Sequence, residues 1–121
     1  MNPGLEAPKP EIMVYSIKGS VPKDVVTEVI LGIEEEGLPY KYEDKTEKIS
    51  AKDLAYKAAE DSHLGVGIGI DSHNIVLHFI KLRDGQPLFT ISPNAGEEKL
   101  RAIGSNAARL IKRMPFKSLD A

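Results

Sequence analysis

"GVGIGIDSHNIVLHFI" occupies residues 65–80, and how it is read decides the fold. "GVGIGID" (65–71) and "NIVLHFI" (74–80) are two β-branched, apolar runs joined by the tight polar link "SHN", the pattern of a β-hairpin. Within the first run Gly65, Gly67 and Gly69 recur with period two, so they share one face of a strand while Val66, Ile68 and Ile70 share the other. A glycine stripe of this kind allows a helix, or a partner's backbone, to approach the sheet closely. It does not read as a nucleotide loop. The spacing is G-x-G-x-G and not G-x-G-x-x-G, and a strand follows where a phosphate site needs a helix N-terminus.

Outward from the hairpin, strands and helices alternate. "EIMVYSI" (11–17), bounded by Pro10 and Gly19, reads as a buried strand. Ser20 is expected to cap the helix that follows, with Pro22 in its first turn and Asp24 near its positive end. Val25, Val26, Val29, Ile30 and Ile33 form its apolar face. "PYKYED" (39–44) alternates enough to be a second, more exposed strand, and Ser50 opens a helix over 51–61 with a thin stripe of Leu54, Ala55, Ala58 and Ala59. After the hairpin come a short fifth strand in "PLFTIS" (87–92) and a closing helix near 96–113, with Leu100, Ile103, Ala107, Leu110 and Ile111 inward. Gly104, Ala107 and Ala108 on that helix predict close contact with the sheet. The pattern is a three-layer α/β domain with a mostly parallel sheet and one antiparallel strand.

One local feature opposes the helix that carries it. "GIEEEGLP" (32–39) ends in the stop signals Gly37 and Pro39, so Glu34, Glu35 and Glu36 fill the last turn. A helix C-terminus carries about half a negative charge, and a misplaced acid there costs on the order of 0.3–1 kcal/mol. One account is a solvated turn that tolerates the penalty. The other is that one carboxylate serves as an oxygen ligand for a hard divalent cation such as Mg²⁺, whose remaining ligands come from another protein.

The rest of the chain is informative mainly by exclusion. At 121 residues it fits one domain, with residues 1–10 as a flexible proline-containing arm, 11–116 as the folded body and 117–121 as a short tail. A formal net charge of −2 gives no basic footprint for nucleic acid, and Arg109, Lys112, Arg113 and Lys117 sit at a helix end that favours cations. With no cysteine the chain forms neither disulfides nor thiolate sites, as in a reducing cytoplasm. No apolar run approaches a membrane span. His63 reads as an exposed loop histidine, and His73 and His78 do not converge as a metal pair. No G-x-S-x-G elbow supports a nucleophilic triad, so no active site is expected.

Taken in order, "VILGIEEEGLP", "LGVGIGID" followed by a strand, "QPLFT" and "LRAIGSNAARLIKRMPF" resemble the dehydratase medium-subunit family over about residues 11–116. This family holds the medium subunits of adenosylcobalamin-dependent diol and glycerol dehydratases and the small subunits of their reactivating factors. The short ends of this chain are similar to the second branch. The medium subunit of the dehydratase itself is the alternative, and a free-standing small-molecule-binding domain is a third possibility.

The resemblance implies an anticodon-binding-domain-like α/β/α fold, its five-stranded mixed sheet ordered 2-1-3-4-5 with the fourth strand antiparallel. It also implies a non-catalytic chain, a subunit-exchange chaperone partner that binds no cofactor alone. A reactivase large subunit, an ATPase carrying Mg²⁺ and ADP or ATP, would pair with it as two of each. That large subunit would then dock on the dehydratase surface normally covered by the medium subunit and release damaged cobalamin. By the motif match Glu35 would reach a divalent cation on the large subunit, with Glu34 and Glu36 beside it at the interface. Such a chain would reside in the bacterial cytoplasm, free or inside a protein-shelled microcompartment.

Overall fold

The structure, a computed structural model, describes residues 9–82 and 86–119; the greater part of the 1–10 arm and the last two tail residues lie outside that range. The elements run β1 (Ile12–Ile17), α1 (Lys23–Glu35), β2 (Tyr40–Lys45), α2 (Ala51–Asp61), β3 (Val66–Ile70), β4 (Ile75–Phe79), β5 (Phe89–Ile91) and α3 (Glu97–Lys112). They form a five-stranded sheet in the order β2-β1-β3-β4-β5. β1 pairs in parallel with β2 and β3, while β4 runs antiparallel to both β3 and β5. This is the mixed topology that the hairpin and the family resemblance together predict.

Period two along the strands divides the sheet into two faces. Ile12, Val14, Ile68, Ile70, Ile75 and Leu77 point to one face, where they are fully buried with Val29, Ile33, Leu100 and Ile103 of α1 and α3. Met13 and Tyr15 point to the other and meet Leu54 and Ala58 of α2, while Val76 meets Ala51 and Ala55. One helix on one face and two on the other give three layers.

The glycine stripe explains how a helix as thin as α2 covers the centre of the sheet. A Cβ on Gly69 would overlap the carbonyl oxygen of Ala51 and the amide nitrogen of Ala55, and one on Gly67 would meet the backbone of Ala58 and Ala59. Glycine opposite alanine therefore brings the α2 backbone directly onto β3. Asp71 locks this arrangement. Its Oδ1 accepts the amides of His73 (2.8 Å) and Asn74 (2.7 Å) in the hairpin link, and its Oδ2 accepts Ala51 N (2.9 Å) at the start of α2. Burial alone would raise this carboxyl's pKa, but the three amide donors outweigh it and hold the group below its usual range. Ser50 caps α2 as expected, its Oγ accepting the Asp53 amide at 3.1 Å.

Three details depart from the sequence reading. Ser20 does not cap α1: the cap position is Pro22, in extended conformation and without a side-chain bond, and Ser20 lies too far upstream to reach the first free amides. The Ser20 hydroxyl is instead buried without a protein partner among the described residues. Val26 and Ile30 are only half-buried, because they turn toward the edge strand and line a depression of about 540 Å³ with Val21 and Tyr42. Gly104 packs against a helix and not the sheet, since a Cβ there would collide with the Val29 carbonyl of α1.

Both sheet edges are guarded. On β2 the alternating Lys41, Glu43 and Lys45 pair with one another at 3.7 and 3.1 Å, charges that discourage an added strand. Near β5 the chain after α3 turns back: Phe116 stacks edge-on against Phe89, and the Asn106 side chain bonds both Lys117 N (2.7 Å) and Lys117 O (3.0 Å).

Because the α2 backbone leaves no room at Gly69, Gly69→Ala is expected to destabilise the fold by about 3 kcal/mol. Urea unfolding should show a lower midpoint with an unchanged slope. Wild-type stability in this variant would mean that α2 is not held against β3.

Candidate functional site

The acidic end of α1 is built by the way α1 meets α3. Gly32 and Gly104 let the two helix backbones touch, and Ser105 Oγ donates to the Gly32 carbonyl at 3.2 Å. Glu28 faces Arg101, Gly32 faces Ser105 and Glu36 faces Arg109, each pair separated by 73 residues in sequence. A constant offset means that the helices run in the same direction. Four-residue steps on both mean that one surface row of each helix meets the other, rung by rung.

These rungs sort the three glutamates. Glu36, the C-cap residue, accepts Arg109 Nε at 3.0 Å and Lys112 Nζ at 2.9 Å, and its side chain is only 9% exposed. Lys112 Nζ also donates to the Glu36 carbonyl at 2.9 Å, which places a cation on the negative end of α1. The Lys112 hydrogen bond holds the Glu36 carboxyl below its ordinary value, opposed by desolvation and reinforced by Arg109. Glu34 accepts the Tyr40 hydroxyl at 3.0 Å. Glu35, the last helical residue, is 45% exposed and touches only Arg101 Nη1, at 3.3 Å, among the described residues.

The electrostatic penalty seen in the sequence is therefore relieved from the neighbouring helix. The cluster Arg109–Lys117, read from sequence as cations suited to their own helix end, contributes Arg109 and Lys112 to α1 as well. That pairing was missed, although a signal for it existed: E-x₃-G-x₃-E at 28, 32 and 36 and R-x₃-S-x₃-R at 101, 105 and 109 match step for step. Glu34 and Glu35 are both exposed, each with a single polar partner: a tyrosine hydroxyl for Glu34 and a guanidinium for Glu35.

Elsewhere the polar groups have structural roles. His63 is exposed, as expected of a loop residue, and His78 is fully buried, its Nδ1 3.1 Å from the Phe79 carbonyl and its ring edge-on to Tyr56. Tyr15 donates to Asp61 at 2.5 Å, and its hydroxyl pKa is pushed up by burial and by that bond. Among the described residues no three His, Asp or Glu side chains are grouped to hold a metal ion, and no helix is long and apolar enough to cross a membrane. A lone exposed carboxylate such as Glu35 fits a hard cation chemically, as a single oxygen donor completing a site that lies on another chain.

Residues 9–117 match the model of the dehydratase medium subunit. The chain belongs to the dehydratase medium-subunit family. Within this family it is similar to the propanediol dehydratase-reactivating factor small subunit of Salmonella typhimurium, 43% identical over 94 residues that span 78% of this chain and 80% of the relative. Several solved chains share its fold, among them two reactivating-factor proteins. One is a diol dehydratase-reactivating factor complexed with ADP and Mg²⁺, with a TM-score of 0.83 and 38% identity. The other is a glycerol dehydratase reactivase, with a TM-score of 0.86 and 28% identity. The alignments cover 92% and 93% of this chain and the whole of the matched chains. These family members are reactivating-factor proteins, so the alternative of a dehydratase medium subunit is not favoured.

Glu36→Gln is expected to remove the charge that Arg109 and Lys112 share and to cost about 2 kcal/mol at neutral pH. A carboxyl with a lowered folded-state pKa stabilises fully above its ordinary value of 4.5, and that contribution is lost as the pH falls through the lower folded value. The variant should therefore lose less stability than wild type on acidification below 4.5, measured as denaturant midpoints across that range.

Proposed function

We propose that this chain is the small subunit of a diol or glycerol dehydratase reactivase, a non-catalytic partner of a larger ATPase subunit. Two small and two large subunits assemble in the resting complex. When ADP is bound the small subunit leaves, and the large subunit docks on an inactivated dehydratase at the surface its medium subunit covers. The active site loosens there and damaged cobalamin escapes. A fold shared between small and medium subunits gives the exchange its physical basis, since both must fit one berth. The supporting observation is similarity across nearly the whole folded body to reactivating-factor chains, one of them in a complex holding ADP and Mg²⁺.

In this reading Glu35 is the contact through which the nucleotide site senses the small subunit. Its carboxylate would supply one oxygen to the divalent cation beside the nucleotide on the large subunit. Loss of that cation would leave an acid facing acidic phosphates at the interface, which favours separation. Glu34 and Glu36 flank the contact, with Glu36 committed to Arg109 and Lys112.

Glu35→Gln is expected to weaken Mg²⁺- and nucleotide-dependent association with the large subunit by about tenfold or more, the worth of one charge-assisted contact. Co-purification and binding titrations with and without ADP and Mg²⁺ measure this. Glu34→Gln should have little effect. Association of the Glu35 variant that matches wild type under every nucleotide condition would count against the contact, and failure of the wild-type chain to bind any large reactivase subunit would sink the function.

A further inference from the structure

The geometry points to Arg101 as the positioning residue for Glu35, holding its carboxylate ready for the cation on the partner; this inference rests on the function proposed above. Arg101 is itself held on two sides. Its Nε and Nη2 both donate to Glu28 Oε2, at 3.1 and 2.6 Å, and Glu28 is only 16% exposed. Its backbone sits within the close α1–α3 contact, where a Cβ on Gly32 would overlap the Arg101 carbonyl oxygen. The guanidinium is thus fixed before it meets Glu35, with Nη1 left for Glu35 Oε1 at 3.3 Å.

This arrangement has the form of the outer layer of a metal site. A carboxylate that ligates a metal through one oxygen is commonly oriented by a polar partner on the other, and here that partner is the Arg101 guanidinium, in an ion pair at 3.3 Å. Glu28 balances most of the charge of Arg101, so the guanidinium can orient Glu35 without strongly opposing the approach of a dication. It also offsets the repulsion between Glu35 and the negative end of α1. The same rows of the helices therefore perform two tasks: the rung at Glu36 closes the contact, and the rung at Glu28 presents Glu35 to solvent at the edge of it.

The test uses the complex of the full-length chain with its large subunit, titrated with Mg²⁺ at a fixed ADP concentration below the level that separates the wild-type subunits, with association as the readout. Arg101→Gln is expected to raise the Mg²⁺ midpoint about tenfold, the usual scale for removing a group that orients a metal ligand. Association measured in EDTA should stay at the wild-type value, and Arg101→Lys should recover part of the shift. Glu28→Gln should raise the midpoint as well, because an unanchored, unbalanced guanidinium then binds Glu35 as a competitor.

A midpoint within about twofold of wild type for Arg101→Gln, in an assay where Glu35→Gln raises it, would overturn the role of Arg101 and leave the Glu35 contact standing. Equal weakening with Mg²⁺ and in EDTA would also overturn it, as a purely structural effect. An unmoved midpoint in Glu35→Gln itself would remove the contact on which the inference rests.

Discussion

Close backbone contact between α1 and α3 is the constraint on which the arrangement at the acidic end of α1 depends. Gly32 and Gly104 remove the side chains that would otherwise separate the two helices. Once the backbones touch, rows of residues four apart must face one another, and the acids of α1 meet the bases of α3 without further adjustment. A larger residue at either glycine would push the helices apart and pull every rung out of register together. The second close contact, α2 on the glycine stripe of β3, plays the corresponding part on the other face and fixes the layer spacing of the domain.

The electrostatics follow from that packing. Three consecutive glutamates at a helix C-terminus are unfavourable for an isolated helix. In the folded chain they have three different environments: Glu36 is enclosed between Arg109 and Lys112, Glu34 accepts a tyrosine hydroxyl, and Glu35 is exposed with one partner. Charge that looks redundant in sequence is divided between holding the helices together and facing outward. A surface ion pair such as Glu35–Arg101 contributes little to stability, so its geometry is free to serve a contact with another molecule.

The core is apolar and buried, the sheet edges are guarded by charge at β2 and by the returning chain at β5, and no grouped metal ligands are present among the described residues. The end of α1 carries two exposed carboxylates, Glu34 and Glu35, each with one polar partner. Membership of the dehydratase medium-subunit family gives that feature its setting, since these proteins include reactivating-factor subunits of the same fold.

The periodicity of residues 65–80 was enough to predict the hairpin, the antiparallel strand and the glycine face, because strand geometry repeats every two residues whatever lies around it. Helices α1, α2 and α3 and the exposed character of β2 were legible for the same local reason. The cap of α1 was not, since a serine near a helix start is a signal that the actual path through Gly19 and Pro22 can leave unused. Nor was the partner of Gly104, because a small residue announces close contact without saying with what. The sequence by itself determined which residues are acidic, which are small and which elements form. Only the tertiary structure decided that Glu36 is enclosed, that Glu35 is presented and that Arg101 stands behind it, because ion pairs across 73 residues depend on how two helices dock, which no local pattern specifies.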